Sequence, residues 1–298
     1  MIIVHLMGGL GNQMFEYAAG LALARRRRTV LKLDTSFYRE HDVDDRHYSL
    51  DCLNVSAQFA TEDEVWKLNG QLGRKQDLAQ KILSALGQRR FADLLSVTGY
   101  VHYQKHWGYY PECYELPDNT WLHGNYQSEK FFAPVADLLR HQFTFRYPPT
   151  PAVEAMAERI KSGSSVGIHF RRGDYLGQYN GIGVLSAEYY DRAIDLLKGL
   201  LPKDTVYYLF SDDIEAVERE YRPSVPHLFV KCFDHANYYD KIRLMQLCKH
   251  NVIANSTFSW WAAWLNPNPS KIVIAPYKWY ADEHHPTDDL VPGRWMRV

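Results

Sequence analysis

Cysteine is scarce: four in 298 residues, at Cys52, Cys113, Cys232 and Cys248. None forms a C-x-x-C pair or a zinc-ligand spacing, which excludes a disulfide scaffold and predicts reduced thiols in a cytoplasmic protein. No apolar run reaches about 18 residues and no signal-peptide pattern is present, so no segment is expected to span a membrane. Charge of neither sign dominates. A formal net charge of −1 gives no support for nucleic-acid binding. G-x-x-x-x-G-K-[ST] is missing, which removes a P-loop, and there is no evident internal repeat.

What is present fits a globular chain of one large or two ordinary domains, with 46% hydrophobic and 23% charged residues. Aromatics reach 14%, with 21 tyrosines and 8 tryptophans. Many must be core, although carbohydrate sites also set flat rings against sugar faces. The basic block Arg25 to Arg28 reads as the solvated end of a helix, or as a peripheral contact with anionic lipid on the inner face of a membrane.

The stretch Val166 to Tyr175, VGIHFRRGDY, organises the chain. It starts as a buried strand and breaks into His169, Arg171, Arg172, Gly173 and Asp174. Ligands gather at the carboxyl ends of strands in open α/β sheets. Two adjacent guanidiniums suit phosphate oxygens far better than a core. Asp174 holds one arginine in place or accepts bonds from a base or sugar. A surface salt bridge beside a turn is the plain alternative.

At the N-terminus a strand, MIIVHL, runs into Met7-Gly8-Gly9-Leu10-Gly11-Asn12-Gln13, and a helix follows over Met14 to Arg26. Strand, glycine turn and helix make a loop where backbone N–H groups approach a ligand. Asp34 then ends the next strand, in the place where an acid meets the ribose in a dinucleotide fingerprint. Met14 stands where the third glycine belongs, so the turn alone specifies only a tight βα connection. Asp42-Val43-Asp44-Asp45 contains a D-x-D, but in a polar stretch with no strand before it, and it reads as a solvated charge run rather than a metal site. Helices are expected near 61–69 and 76–95, and from Ser128 to Phe143. His123, Tyr126 and Gln127, in WLHGNYQSEKFF, are candidates to face a substrate. Tyr147-Pro148-Pro149-Thr150-Pro151 reads as a linker, giving domains 1–148 and 149–298.

The second half alternates strands and helices, which predicts a parallel, doubly wound sheet. Three of its strands end in polar clusters: HFRRGD, Ser211-Asp212-Asp213, and Asn255-Ser256-Thr257. Ser256 and Thr257 open a helix, where hydroxyls and free N–H groups collect an anion. Each alone is an ordinary cap. Together they mark an anion-and-nucleoside crevice.

The combination GGLGNQMFEYA (8–18), WLHGNYQSEKFF (121–132), HFRRGDY (169–175), FSDD (210–213), DKIRLMQLC (240–248) and ANSTFSWWAAWL (254–265) resembles the bacterial α-1,2-fucosyltransferases over nearly the whole chain. H-x-R-R-x-D alone is shared with α-1,6- and protein O-fucosyltransferases. The resemblance implies a GT-B fold of two Rossmann-like α/β domains facing a cleft. It implies an acceptor-side N-terminal half and a GDP-fucose-binding C-terminal half. It also implies inverting transfer of L-fucose to the 2-hydroxyl of a terminal β-galactose on an oligosaccharide or glycolipid; because the arginine pair and the helix N-terminus at 256–258 can neutralise a diphosphate, no metal or other cofactor is expected.

On that resemblance Arg171 holds the β-phosphate of the leaving GDP, and His169, Arg172 and Asp174 complete that end of the site. Ser256, Thr257 and Phe258, with Asn255 before them, offer donors to the phosphates. Ser211 to Asp213 and Asp240 lie near the ribose or guanine. Gly9, Gly11, Asn12 and Gln13 form the glycine turn, with Asn12 reaching towards the fucose. Lys241-Ile242-Arg243 after Asp240 is more basic than the resemblance leads one to expect. A general base is required, but no spacing singles one out. Two other classes compete: an NAD-dependent oxidoreductase using Gly9, Gly11 and Asp34, opposed by the missing glycine, and a non-catalytic glycan-binding module, which leaves the three polar strand ends unexplained.

Overall fold

The computed structural model describes residues 1–40, 46–70, 100–104, 108–172, 183–233, 237–280 and 286–298. The helix expected at 76–95, the D-x-D at 42–44, and Gly173 and Asp174 lie outside the described residues. The chain divides into two compact units, Met1–Thr144 and Phe145–Val298. The expected boundary at 148/149 falls inside the second unit. Phe145 stacks on Tyr239 and the Tyr147 carbonyl accepts from Arg243 at 2.6 Å, so the segment before the prolines already belongs to that unit.

The first unit holds β1 (Ile2–His5), β2 (Leu31–Asp34), β3 (Gln58–Phe59), β4 (Tyr100–Tyr103) and β5 (Thr120–His123). They form a parallel sheet in the order β3-β2-β1-β5-β4. Ile2, Ile3 and Val4 are wholly buried, as the unbroken apolar run of a strand covered on both faces requires. Helix α1 (Leu10–Arg27) is buried at every position from Gln13 to Ala24. A Cβ at Gly20 would lie 2.9 Å from Leu31 Cδ1 and 3.2 Å from Val4 Cβ. The close helix–sheet approach that a third fingerprint glycine normally allows therefore occurs further along the helix. At the other end Arg26 pairs with Glu115, and Arg27 donates to the Leu116 and Tyr114 carbonyls. Half of the basic block thus docks the chain's own 111–116 segment rather than standing free for lipid. The helix expected from Ser128 to Phe143 is broken. Two 3₁₀ turns, Glu129–Phe131 and Ala133–Val135, precede an α-helix at Ala136–Gln142, because Pro134 has no N–H to continue the ladder.

The second unit holds β6 (Ser165–Phe170), β7 (Val206–Ser211), β8 (His227–Phe229), β9 (His250–Val252), β10 (Val273–Ala275) and β11 (Met296–Arg297), parallel, in the order β11-β10-β9-β6-β7-β8. Its helices are α2 (Pro151–Lys161), α3 (Ala187–Lys198), α4 (Ile214–Glu220), α5 (Asp240–Met245) and α6 (Thr257–Leu265). Pro151 at the first position of α2 and the Thr150 hydroxyl capping Val153 explain why the proline stretch starts a helix. Trp260, Trp261 and Trp264 make α6 a core element, with the Trp260 indole donating to the Leu290 carbonyl at 2.8 Å. Strand order reverses between β1 and β5 in one sheet and between β6 and β9 in the other. Such switch points open a crevice beyond the strand ends. No helix among the described residues is long and apolar enough to cross a membrane.

Candidate active site

The switch point of the second unit carries the densest charge. His169, the penultimate residue of β6, is 2% exposed, and its Nδ1 has no hydrogen-bond partner among the described residues. Burial, helped by the Arg171 and Lys241 cations and opposed by the Asp212 carboxylate, pushes its pKa down to about 3. It is a neutral imidazole. A buried polar atom with no partner is costly unless something fills its bond.

Arg171 and Arg172 follow as β6 ends. Arg171 Nη1 lies 2.7 Å from Asp212 Oδ2, and the Arg172 backbone N–H donates to Asp212 Oδ1 at 3.0 Å. Burial raises the Asp212 pKa, but Arg171, His169 and the Arg172 N–H outweigh it, and the carboxyl sits below the usual range. Asp212 thus stays ionised and aims Arg171. Arg172 pairs with Glu220 at 2.6 Å, while its buried Nε has no partner. The Ser211 hydroxyl receives the Asp213 N–H at 3.0 Å, and Asp213 caps α4 through Ala216 N at 3.0 Å.

Across the switch point, β9 leads into α6. Ser256 is its N-cap and makes no side-chain cap bond, so the hydroxyl and the first turn's N–H groups are positioned as an anion site. Phe258 stands 6.0 Å from His169, ring to ring. Strand β6, strand β7 and the α6 N-terminus thus gather His169, Arg171, Arg172, Ser211, Asp212, Ser256, Thr257 and Phe258 at one end of one sheet.

Two expected ligand residues take other work. Asp240 is buried and accepts from Arg243 Nε at 2.7 Å, while Arg243 also covers the Phe145 ring at 4.5 Å. One oxygen of its carboxylate thereby holds Arg243, which fastens α5 to the start of the unit through the Tyr147 carbonyl, as a buried charge needs a partner. Asn255 is buried too, and its amide donates to the Gly183 and Trp279 carbonyls at 3.0 and 3.1 Å, which makes it a clamp between loops. Conversely, Lys241 enters a site that sequence reading assigned it no part in. Burial lowers its pKa, Asp212 and Glu215 pull the other way, and Arg171 adds to the lowering. Its ammonium lies 5.6 Å from the Phe233 ring centre and has no ion-pair partner among the described residues. The one signal was the basic run after Asp240.

In the first unit the glycine turn forms as expected. Gly8 has φ +65°, a backbone that favours glycine, and Gly9 caps α1. Gly11 is buried within the first turn of α1. Asn12 Oδ1 accepts from Gln127 Nε2 at 3.3 Å, which brings one acceptor-side candidate onto the turn. Gln13 departs from expectation. It is wholly buried, donating to the Gly8 and His47 carbonyls and accepting from Ser49 N, so it braces the turn from below. Tyr126 departs likewise. It is 1% exposed, packed edge-on to Phe131 and bonded to His102 at 3.0 Å, so its phenol is core. His123 ends β5 and contacts His5, the last residue of β1, with Nδ1 atoms 2.9 Å apart.

Two residues here escaped the sequence. Glu16 is wholly buried under the turn, accepting from Met7 N at 2.9 Å with its other oxygen unpartnered. Burial lifts its pKa well above the usual carboxylate range, against the Met7 bond. The Arg46 guanidinium comes within 2.6 Å of where a Gly9 Cβ would lie; nothing in the sequence announces that position. Among the described residues no cluster of His, Cys, Asp and Glu has the composition of a metal site.

Two parallel α/β units, one with arginines, a neutral histidine and a helix N-terminus at its switch point, provide groups that can hold an anion at that end of the sheet. The chain belongs to glycosyl transferase family 11, whose sequence profile matches residues 89–298, and it is a glycosyltransferase. An α-1,2-colitosyltransferase of Escherichia coli is 30% identical over 309 residues, spanning all of this chain and 98% of the relative. The O-antigen biosynthesis glycosyltransferase WbnK of Escherichia coli is 28% identical over 305 residues, covering 98% and 99%. Solved structures with a similar course include the fucosyltransferase NodZ from Bradyrhizobium (TM-score 0.47, 15% identity, 88% of this chain and 91% of that one). Another is Arabidopsis thaliana FUT1 in complex with GDP (TM-score 0.49, 14% identity, 98% and 71%).

Proposed function

We propose that the chain transfers L-fucose from GDP-β-L-fucose, with inversion, to the 2-hydroxyl of a terminal β-galactose on a bacterial surface glycan. The observation that carries this reading is the set of anion donors at one switch point: Arg171 aimed by Asp212, the unpartnered Nδ1 of His169, and the open N-terminus of α6 at Ser256. In a family 11 glycosyltransferase the anion to be met there is the donor's diphosphate. Arg171 grips the β-phosphate, and His169 and Arg172 complete that end. Ser256, Thr257 and Phe258 supply hydroxyl and backbone donors. The 211–213 turn lies towards the nucleoside, and Asn12 on the glycine turn contacts the sugar.

Inversion is a single displacement. As the bond from the anomeric carbon to the phosphate oxygen lengthens, charge builds on the diphosphate, and pre-set donors stabilise that state more than the bound ground state. Thermal melting with GDP, UDP and ADP tests the nucleotide, with the largest shift expected for GDP; equal shifts overturn it. Assays with GDP-fucose and lacto- and neolacto-type acceptors, read by NMR of the product linkage, test the reaction. A product joined elsewhere than at the galactose 2-hydroxyl counts against the linkage.

A second donor has specific support in the 30% identity to an α-1,2-colitosyltransferase. Colitose is fucose without its 3-hydroxyl, so the same diphosphate machinery serves both sugars. The ratio of kcat/KM for GDP-fucose and GDP-colitose decides between them.

A further inference from the structure

We propose that His123 is the base that takes the proton from the acceptor hydroxyl, and that His5 is the positioning residue that fixes its tautomer. The assignment rests on the glycosyl-transfer reading above and adds to it the group that activates the nucleophile.

Topology puts the pair where a ligand belongs. The β1–β5 register runs Ile2 to Thr120 through Val4 to Leu122, which sets His5 and His123 side by side at the strand ends. Those ends flank the switch point of this sheet, the crevice that serves as a binding site in open α/β folds. The glycine turn leaves β1 at the same place, bonded through Asn12 to Gln127 at 3.3 Å.

The local chemistry then separates the two rings. Their Nδ1 atoms lie 2.9 Å apart, so one carries a proton and the other accepts it. His123 makes no other side-chain hydrogen bond among the described residues, and it is only half-buried. If its Nδ1–H donates to His5, its Nε2 lone pair is left to meet substrate. A nucleophile's base oriented by a hydrogen bond to its second nitrogen is the general logic of such sites.

The surroundings keep the base neutral and then tolerate its charge. Burial lowers the His123 pKa and the Asp34 carboxylate opposes it, so the ring is unprotonated at neutral pH. Trp121 stacks on His123 with centroids 5.5 Å apart, and Tyr103 packs on it from β4 at 5.2 Å. The Trp121 indole in turn donates to Asp34 at 2.9 Å. An imidazolium formed here meets a ring face, a carboxylate beyond it, and a strengthened bond to His5. Among the described residues, Asp34, His5 and Tyr103 are the titratable groups facing it from β2, β1 and β4.

The step balances. The acceptor oxygen bonds to the anomeric carbon, and its proton passes to His123 Nε2. The carbon–phosphate-oxygen bond breaks with its electron pair leaving on the diphosphate. His123 then releases its proton to solvent.

The test measures kcat, acceptor KM and GDP affinity in the full chain, for the donor and acceptor the wild type proves to use. His123→Gln is expected to lose on the order of 10²–10⁴ in kcat, with GDP affinity unchanged and the acid limb of the kcat profile abolished. His5→Leu is expected to lower kcat about tenfold, and His5→Asn, which restores an acceptor near Nδ1, to recover it. If His123→Gln folds and keeps kcat within a few-fold, the assignment is wrong. A wild type that transfers a different sugar, or to a different hydroxyl, overturns the reading of function instead, because the variant-to-wild-type ratio is judged on whatever reaction the wild type performs.

Discussion

In the proposed reaction Arg171 acts as a fork, not merely as a charge. Its pairing with Asp212 at 2.7 Å fixes the plane of the guanidinium, and a planar donor grips two diphosphate oxygens at once, whereas lysine offers a mobile point charge. Arg171→Lys is expected to fold normally and still bind GDP, yet lose on the order of 10²–10³ in kcat. Arg172→Lys, whose guanidinium is engaged by Glu220, is expected to be milder. Circular dichroism and steady-state kinetics check both; a rise in KM with kcat intact shows that Arg171 binds the ground state only. Lys241 adds a titratable cation to the same site. Burial holds its pKa below the ordinary lysine value, so its charge fades at a lower pH than an exposed lysine's. GDP affinity by calorimetry is expected to be several-fold weaker in Lys241→Met at pH 7, and the gap to the wild type to close as pH rises; a pH-independent gap excludes the cation. Arg171 was legible because a strand delivers an arginine pair to its own end. Lys241 was not, because its relevance comes from the charges of Asp212 and Arg171, distant in sequence, that act on it, which no spacing encodes.

Elements reproduced more of the sequence pattern than individual ligands did. The unbroken apolar runs became central parallel strands and the glycine turn became the N-terminus of α1. What failed did so for local reasons: Pro134 interrupted a helix, and Tyr126 (φ 46°) turned its ring into an aromatic cluster. Gln13, Asn255 and Asp240 look like ligands in a motif, yet they are the braces that shape the loops presenting the ligands. Glu16 is a further brace, with a measurable signature. Its folded pKa lies above the unfolded one, so unfolding releases a proton at pH values between the two. Its contribution to stability is therefore intact below about 4.5 and is lost as pH rises towards the folded value. Glu16→Gln removes that dependence. Its stability relative to the wild type is expected to rise by up to about 1.4 kcal/mol per pH unit across that window. Melting both proteins at pH 5 and pH 8 checks this; a constant difference means that the carboxyl titrates normally.

On the scale of the whole chain, the division into two parallel α/β units was legible from the alternation of strands and helices. The exact joint was not, since Phe145 and Tyr147 side with the second unit through Tyr239 and Arg243. With Arg171 and the α6 N-terminus at one end of the second sheet, the diphosphate of the proposed reaction finds counter-charge in the protein itself, and transfer is expected to survive EDTA. A loss restored by Mn²⁺ or Mg²⁺ overturns that expectation. The strand order carries one more consequence, for the newborn chain. Strand β6 emerges well before its neighbour β9, and until His250–Val252 leaves the ribosome one edge of β6 lacks its native partner. The same delay separates β1 from β5. Parallel pairing across so long a separation is slow, and an unpaired apolar edge invites the wrong partner. In each sheet the seam where the crevice opens therefore waits for a strand from far along the chain, so a message cut short before β9 yields a chain that displays an unpaired β6 edge and lacks the α6 part of the candidate site.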